Sequence, residues 1–274
     1  MRKPRRLAPE ELAAYEWQPP RRFGRWGVGA GDRRQETGDR EQGPGDRGQG
    51  TGSNEPDSQP LSPDSRPLSP DSRPLSPVSC LLDWPALFGN ANPVEVEVGM
   101  GKGLFLLTQA LARPGVNFFG IEVVRKVQRY ATTRLAVRKL PNVKTTCADA
   151  KALFRDFIAP GSVAAVHVLF PDPWWKARHK KRRVFTPELA ADVARALPVG
   201  GALHVASDVA EYFGVMTGIL RAMPAFRELA AETTAEGGFE TNFERKARAQ
   251  GTPVGRARYE RTAEPVTVAP DPAG

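Results

Sequence analysis

The chain is short of cysteine. Cys80 and Cys147 stand in unrelated contexts, which supply neither a set of zinc ligands nor a disulfide framework, and two thiols fit a reducing compartment. Long apolar runs are missing too: none approaches the ~20 residues that span a bilayer. The leading stretch, MRKPRRLAPEELAAYEW, is charged and lacks the apolar core of a signal peptide. These absences predict a soluble, cytoplasmic protein with no membrane span and no bound metal, a monomer or homodimer. Negative charge is also in deficit. Residues 1–78 are nearly balanced, with 13 Arg and Lys against 12 Asp and Glu, whereas the rest of the chain carries 26 against 19. The excess positive charge therefore sits on the part that reads as folded, and points to a polyanionic partner.

Four stretches differ in composition. Residues 1–23 form a basic N-terminal segment, for which an unstructured end is the default. Residues 24–58 are rich in Gly, Asp, Arg, Gln and Glu, with little to bury, and residues 60–77 repeat PLSPDSR. The seven-residue period is not a coiled coil, because two prolines per repeat remove helix donors and clash with the preceding turn. Residues 24–78 are thus predicted to be a disordered low-complexity linker. Residues 79–264 read as one domain, and 265–274 as a flexible tail.

Within the domain, strand and helix patterns alternate with short connections. Strands are expected at Val94–Val98, Val116–Ile121, Val143–Cys147, Val163–Phe170 and Ala202–Ser207. Helices are expected at Leu104–Ala112, Val123–Leu140, Ala150–Phe157, Pro187–Leu197 and Val209–Met223. This is the signature of an α/β, doubly wound, mostly parallel sheet. Phe226–Leu229 and Ala257–Arg261 are expected to close it as a C-terminal antiparallel pair, seven strands in all.

Ligands of such sheets bind beyond the carboxyl ends of the strands. The first strand ends in Glu97-Val98-Gly99-Met100-Gly101-Lys102-Gly103. A dinucleotide fingerprint needs glycine where Leu104 stands; the spacing here, G-x-G-x-G preceded by an acid, is the form seen in S-adenosylmethionine methyltransferases. Glycines there admit positive φ and close approach of the ligand. Glu97 offers a negative partner to the cationic amino acid end of that cofactor. Glu122, closing the second strand, is placed to accept both ribose hydroxyls, and Asp149, after the third, to bond the adenine edge. An acid at a strand end is also a common helix cap; the ordered set on three successive strands favours the cofactor.

The fourth strand runs into Phe170-Pro171-Asp172-Pro173-Trp174-Trp175-Lys176 and then Ala177-Arg178-His179-Lys180-Lys181-Arg182-Arg183. This cluster follows a strand end that faces the cofactor, so Arg178, Lys180, Lys181, Arg182 and Arg183 are expected to grip nucleic-acid phosphates beside the chemistry. Trp174 and Trp175 are candidates to stack on a base, one of them packing into the core instead.

Together with VEVEVGMGKG, GIEV, Ser207-Asp208 and Thr241-Asn242-Phe243-Glu244, this stretch resembles the bacterial tRNA (guanine-N7)-methyltransferases over about residues 81–262. The resemblance implies a Rossmann-like methyltransferase fold, S-adenosylmethionine as cofactor and tRNA as partner, with the variable-loop guanine, position 46, as target. It implies that Glu97, Gly99, Gly101, Gly103, Glu122, Asp149 and Asp172 bind the cofactor, Asp172 being also catalytic. It implies that Lys176, Asp208, Thr241, Asn242, Phe243 and Glu244 bind substrate. Ser207 stands where the family commonly has Thr, and the linker has no counterpart. Guanine N7 carries a lone pair and no proton, so the implied reaction needs alignment and charge stabilisation rather than a general base. An amino-group methyltransferase would instead place two adjacent prolines after the acid of this loop, and a non-catalytic RNA-binding module would not need the intact acids and glycines.

Overall fold

The first strand of the domain, β1 (Val94–Val98), is the sequence VEVEV, whose alternation sends its valines to one face of a sheet and its glutamates to the other. The valines enter a core with Phe119, Ile121, Val166, Val168, Leu203 and Val205. Glu95 and Glu97 face the opposite layer. The structure is a computed structural model that describes residues 7–20, 81–174, 177–230 and 249–269. The linker at 24–78, Trp175, Lys176, Thr241–Glu244 and the last five residues lie outside it.

A short helix, α1 (Pro9–Ala13), buries Leu12 at the N-terminal side, and α2 (Trp84–Phe88) opens the domain, capped by Asp83 and ended by Gly89 at φ 73°. After β1 come α3 (Leu104–Ala112), β2 (Asn117–Glu122), α4 (Arg125–Ala136), β3 (Val143–Cys147), α5 (Ala150–Phe157) and β4 (Ala165–Leu169). A 3-10 turn, Ala177–Arg182, leads to α6 (Pro187–Ala196), β5 (Ala202–Ser207), α7 (Ala210–Arg221), β6 (Phe226–Leu229) and β7 (Gly255–Arg261). Thr186 caps α6 by accepting from the Leu189 amide.

The seven strands are ordered β3-β2-β1-β4-β5-β7-β6, with β7 antiparallel to both β5 and β6 and the remaining pairs parallel. The doubly wound, Rossmann-like reading and its C-terminal antiparallel pair are as the sequence predicts. Helices cover both faces: α5, α6 and α7 supply one core, α3 and α4 the other, as parallel strands require. The chain leaves β1 toward β2 and β3, then returns to β4 on the other side of β1. That reversal opens a crevice beyond the ends of β1 and β4.

The helix after β2 is shorter than its apolar spacing suggests. Val123 and Val124 are exposed at the edge of the crevice, and α4 begins at Arg125. Residues 7–20 are a larger departure. They are tied to the outer edge of β3 by hydrogen bonds from Trp17 N to Thr145 O and Thr145 N to Tyr15 O, both 2.8 Å. Glu16 pairs with Arg125, and Trp17 meets Phe119 and Phe157 edge-on, with centroids 6.3 and 5.7 Å apart. An exposed strand edge is thereby covered. Among the described residues no helix is long and apolar enough to cross a membrane.

Candidate active site

Three glycines shape the turn after β1. Gly99, Gly101 and Gly103 all have positive φ, at 75°, 51° and 66°, a region costly to residues with a Cβ. Gly103 is also pressed against α4: a Cβ there would lie 3.1 Å from that of Ala131. The turn is anchored to β2, with Gly99 N and Met100 N donating to Ile121 O.

Glu122 ends β2 beneath this turn and is 9% exposed. Its Oε2 accepts from Gly101 N at 3.1 Å and its Oε1 from Val124 N at 2.9 Å. Burial raises its pKa, the amide hydrogen bonds oppose the rise, and the charge of Asp172 adds to it. With the Val123 amide also bonded to it, the carboxylate still keeps acceptor capacity for a ligand. Asp149 caps α5 through its Oδ1 and the Lys151 amide, at 2.9 Å. It does so at the wall of the crevice, so one residue both caps the helix and lines the cavity.

These groups line a cavity of about 340 Å³ with Val98, Ala148, Phe170 and Val184 on its apolar side, a size suited to a nucleoside-like ligand. Gly99, Gly101, Glu122, Asp149 and Asp172 are on its wall. Glu97 and Gly103 are not: Gly103 serves packing, and Glu97 sits deeper, 4% exposed. Burial, with the Glu122 charge, holds the Glu97 carboxyl well above the usual carboxylate range. Its Oε2 has no hydrogen-bond partner among the described residues, and a buried acceptor left so is costly unless a ligand donates to it. An orphaned acid behind a glycine turn, with the carboxylates of Glu122, Asp149 and Asp172 along the wall, fits a cofactor carrying an ammonium, a ribose and an adenine.

Beyond β4 the chain is strained. Phe170 and Trp174 have φ of 53° and 44°, unusual for bulky residues and typical of positions held for function. Between them Asp172 is exposed at the cavity, and Trp174 is partly exposed and lines it. Trp174 is thus the ring turned to the cavity; Trp175 falls outside the described residues. The Arg182 guanidinium lies over the Trp174 ring at 5.1 Å, and His179 meets it edge-on at 5.8 Å.

The basic run divides. Arg178 and Arg182 are exposed on the 3-10 turn, and the side chains of Lys180 and Lys181 are outside the described ones. Arg183, expected on the phosphate face, is instead 5% exposed. Its Nε donates to Pro173 O at 2.7 Å, and its guanidinium lies 4.6 Å from the Tyr212 ring centroid. That corrects the expectation for Arg183: its donors serve the protein. Asp208 is half-buried after β5 and does not line the cavity, while the preceding Ser207 is buried and accepts from Val209 N.

A second polar group has no clear signal in the sequence. Arg113 makes two hydrogen bonds to Glu95, at 2.7 and 2.9 Å, and His167 Nε2 lies 3.0 Å from the same carboxylate. Burial would raise Glu95, but these partners outweigh it and hold it down to about 2. Burial lowers the pKa of His167, and the Glu95 carboxylate opposes that fall. The cluster stands one register step behind Glu97, which is paired with His167 across β1 and β4.

A family model described as "Putative methyltransferase" matches residues 91–257. The tRNA (guanine-N(7)-)-methyltransferase of Rhodopirellula baltica is 43% identical over 183 residues, 63% of this chain and 68% of that protein. The protein of the same description from Aliivibrio salmonicida is 37% identical over 57% of this chain and 65% of its own length. That from Listeria innocua is 34% identical over 65% of this chain and 86% of its own length. The chain therefore spans from just under two thirds to most of the length of these relatives.

Proposed function

Because the chain belongs to the tRNA (guanine-N7)-methyltransferase family, we propose that it transfers a methyl group from S-adenosylmethionine to N7 of the variable-loop guanine, position 46, of tRNA in the cytoplasm. The observation that carries this reading is a single cleft with two electrostatic zones. Carboxylates line its wall, and exposed arginines stand on the turn above it. The wall suits a cationic cofactor and the turn a polyanion.

Glu97 is assigned to the α-amino group, Glu122 to the ribose hydroxyls and Asp149 to the adenine edge, with Gly99, Gly101 and Gly103 giving the turn its shape. When bound, S-adenosylmethionine supplies an electrophilic methyl group on a sulfonium. The N7 lone pair forms the new bond in line as the carbon–sulfur bond breaks, so no proton is removed and no general base is required. Positive charge moves onto the purine. Asp172 accepts hydrogen bonds from the guanine N1–H and amino group, bonds that strengthen as that charge develops. Trp174 gives the base a face to stack on. Lys176, Asp208 and Thr241–Glu244 are assigned to substrate binding, and Arg178, Lys180, Lys181 and Arg182 to backbone phosphates.

The test is methyl transfer from labelled S-adenosylmethionine to unmodified tRNA transcripts, followed by nucleoside analysis. The expected product is 7-methylguanosine; a methylated adenosine or cytidine would overturn the reading. Asp172→Asn is expected to lower kcat by about 100-fold, within the range of one lost transition-state contact, with cofactor affinity changed far less.

A further inference from the structure

We propose that Arg183 is a positioning residue for this reaction: from inside the protein it holds the Pro173 carbonyl, and through it sets Asp172 and Trp174 at the cleft. The inference rests on the function proposed above and adds to it a residue that touches neither substrate nor cofactor.

Ahead of the segment from Pro171 to Trp174, Phe170 N donates to Ala206 O at 2.8 Å, and at its end Trp174 meets Arg182 and His179; the backbone between is short of donors. Pro171 and Pro173 have no N–H to give, and the strained φ angles at Phe170 and Trp174 need external support. Among the described residues, the bond from Arg183 Nε to Pro173 O is the hydrogen bond made to the backbone of 171–174. That carbonyl joins directly to Trp174 and lies one residue beyond Asp172. A shift there moves both functional side chains together.

Arg183 is itself fixed from below. Tyr212 of α7 is fully buried, and its ring carries the guanidinium. Its hydroxyl accepts from Phe185 N at 3.3 Å. Glu211, also on α7, places a carboxylate 3.5 Å from the guanidinium. The start of α7 thus grips the chain at Arg183 and Phe185, and Arg183 passes that grip to the catalytic loop. Two features select arginine over lysine: a planar cation that stacks on the ring, and a directed Nε–H on its inner side. A phosphate contact would need the guanidinium on the surface, where Arg183 is not.

The experiment compares wild type, Arg183→Lys and Tyr212→Phe in steady-state methylation of tRNA, in tRNA binding, and by ¹⁹F spectroscopy after 5-fluorotryptophan labelling. Arg183→Lys keeps the charge. It is expected to lower kcat by about 10- to 100-fold, the scale of a small misplacement, with KM for tRNA and the salt slope of binding within about twofold. The Trp174 resonance, assigned through Trp174→Phe, should shift or broaden while that of core Trp84 stays in place. Tyr212→Phe keeps the ring and loosens only the Phe185 end, so a smaller fall in kcat is expected. If Arg183→Lys fails to fold, Glu211→Gln, which removes the charged partner of the guanidinium at an exposed position, carries the same test through the Trp174 line and kcat. Unchanged kcat and an unmoved Trp174 line would overturn the proposal, as would a rise in KM with kcat intact. The ¹⁹F result does not depend on substrate: wild type without 7-methylguanosine activity would refute the reaction, and the Trp174 line would still decide whether Arg183 sets the loop.

Discussion

Glu122 and Gly101 are joined by a 3.1 Å hydrogen bond from the glycine amide to the carboxylate, which ties the end of β2 to the turn after β1. The acid assigned to the ribose and the turn assigned to the cofactor are therefore one unit. Replacing Glu122 by Gln turns an amide donor toward the N–H of Gly101 or Val124, each of which now finds an acceptor. Cofactor affinity should fall about 10- to 100-fold and stability by about 1–2 kcal/mol. Calorimetric titration with S-adenosylhomocysteine and urea unfolding check both; unaltered affinity would remove Glu122 from the site.

With Glu97 assigned to the cofactor's amino group, cofactor binding is expected to depend on pH. The pKa of the Glu97 carboxyl is raised by burial and by the Glu122 charge, so the free protein binds a proton there more tightly than an unfolded chain does. That proton linkage lowers the stability of the free protein as pH rises through the interval above the ordinary carboxylate value. A bound ammonium favours the ionised form, so binding should release a proton, and affinity should increase as pH rises through the interval above the ordinary carboxylate value. Calorimetry in buffers of different ionisation enthalpy measures the proton. Glu97→Gln should abolish the release, weaken the cofactor and stabilise the free protein; the same proton count in wild type and variant would contradict the assignment.

Arg182 and Trp174 form the outer lip. Arg182→Gln should weaken tRNA binding on all sequences alike and reduce the salt slope by about one. Trp174→Ala should raise KM and lower kcat together, since it removes a stacking face worth ~1–3 kcal/mol. Filter binding across a salt series and steady-state kinetics separate these effects. A salt slope unaltered in Arg182→Gln would place that side chain off the phosphate path.

Trp17 anchors the N-terminal segment against Phe119 and Phe157. Trp17→Ala should cost about 2 kcal/mol, less than a fully buried ring because this one is partly exposed. Urea unfolding gives the value; a loss under ~0.5 kcal/mol, typical of a surface change, would show that the segment adds no stability.

What the sequence discloses, and what it hides, follows from where the deciding contact lies. The edges of β1 and α3 can be read because Pro93 and the Gly99–Gly103 turn punctuate them locally. The placing of Glu122, Asp149 and Asp172 at one cleft follows from strand ends and the β1–β4 reversal, both readable from the order of elements. The docking of residues 7–20 is not readable, since PEELAAYEWQPP has no strand period and its partner is the distant edge of β3. The over-long helix after β2 arises because Val123 and Val124 fit a helical stripe, yet Val123 lines the cleft. Arg183 looks like its cationic neighbours; only Tyr212, far along the chain, turns it inward.

The central claim is methylation at N7, and a tRNA transcript carrying 7-deazaguanosine at position 46 tests it most directly. The account predicts that this RNA binds about as tightly as the guanosine form, with no methyl transfer, while the guanosine form yields 7-methylguanosine. Methyl incorporation into the 7-deaza transcript at the wild-type rate would contradict it.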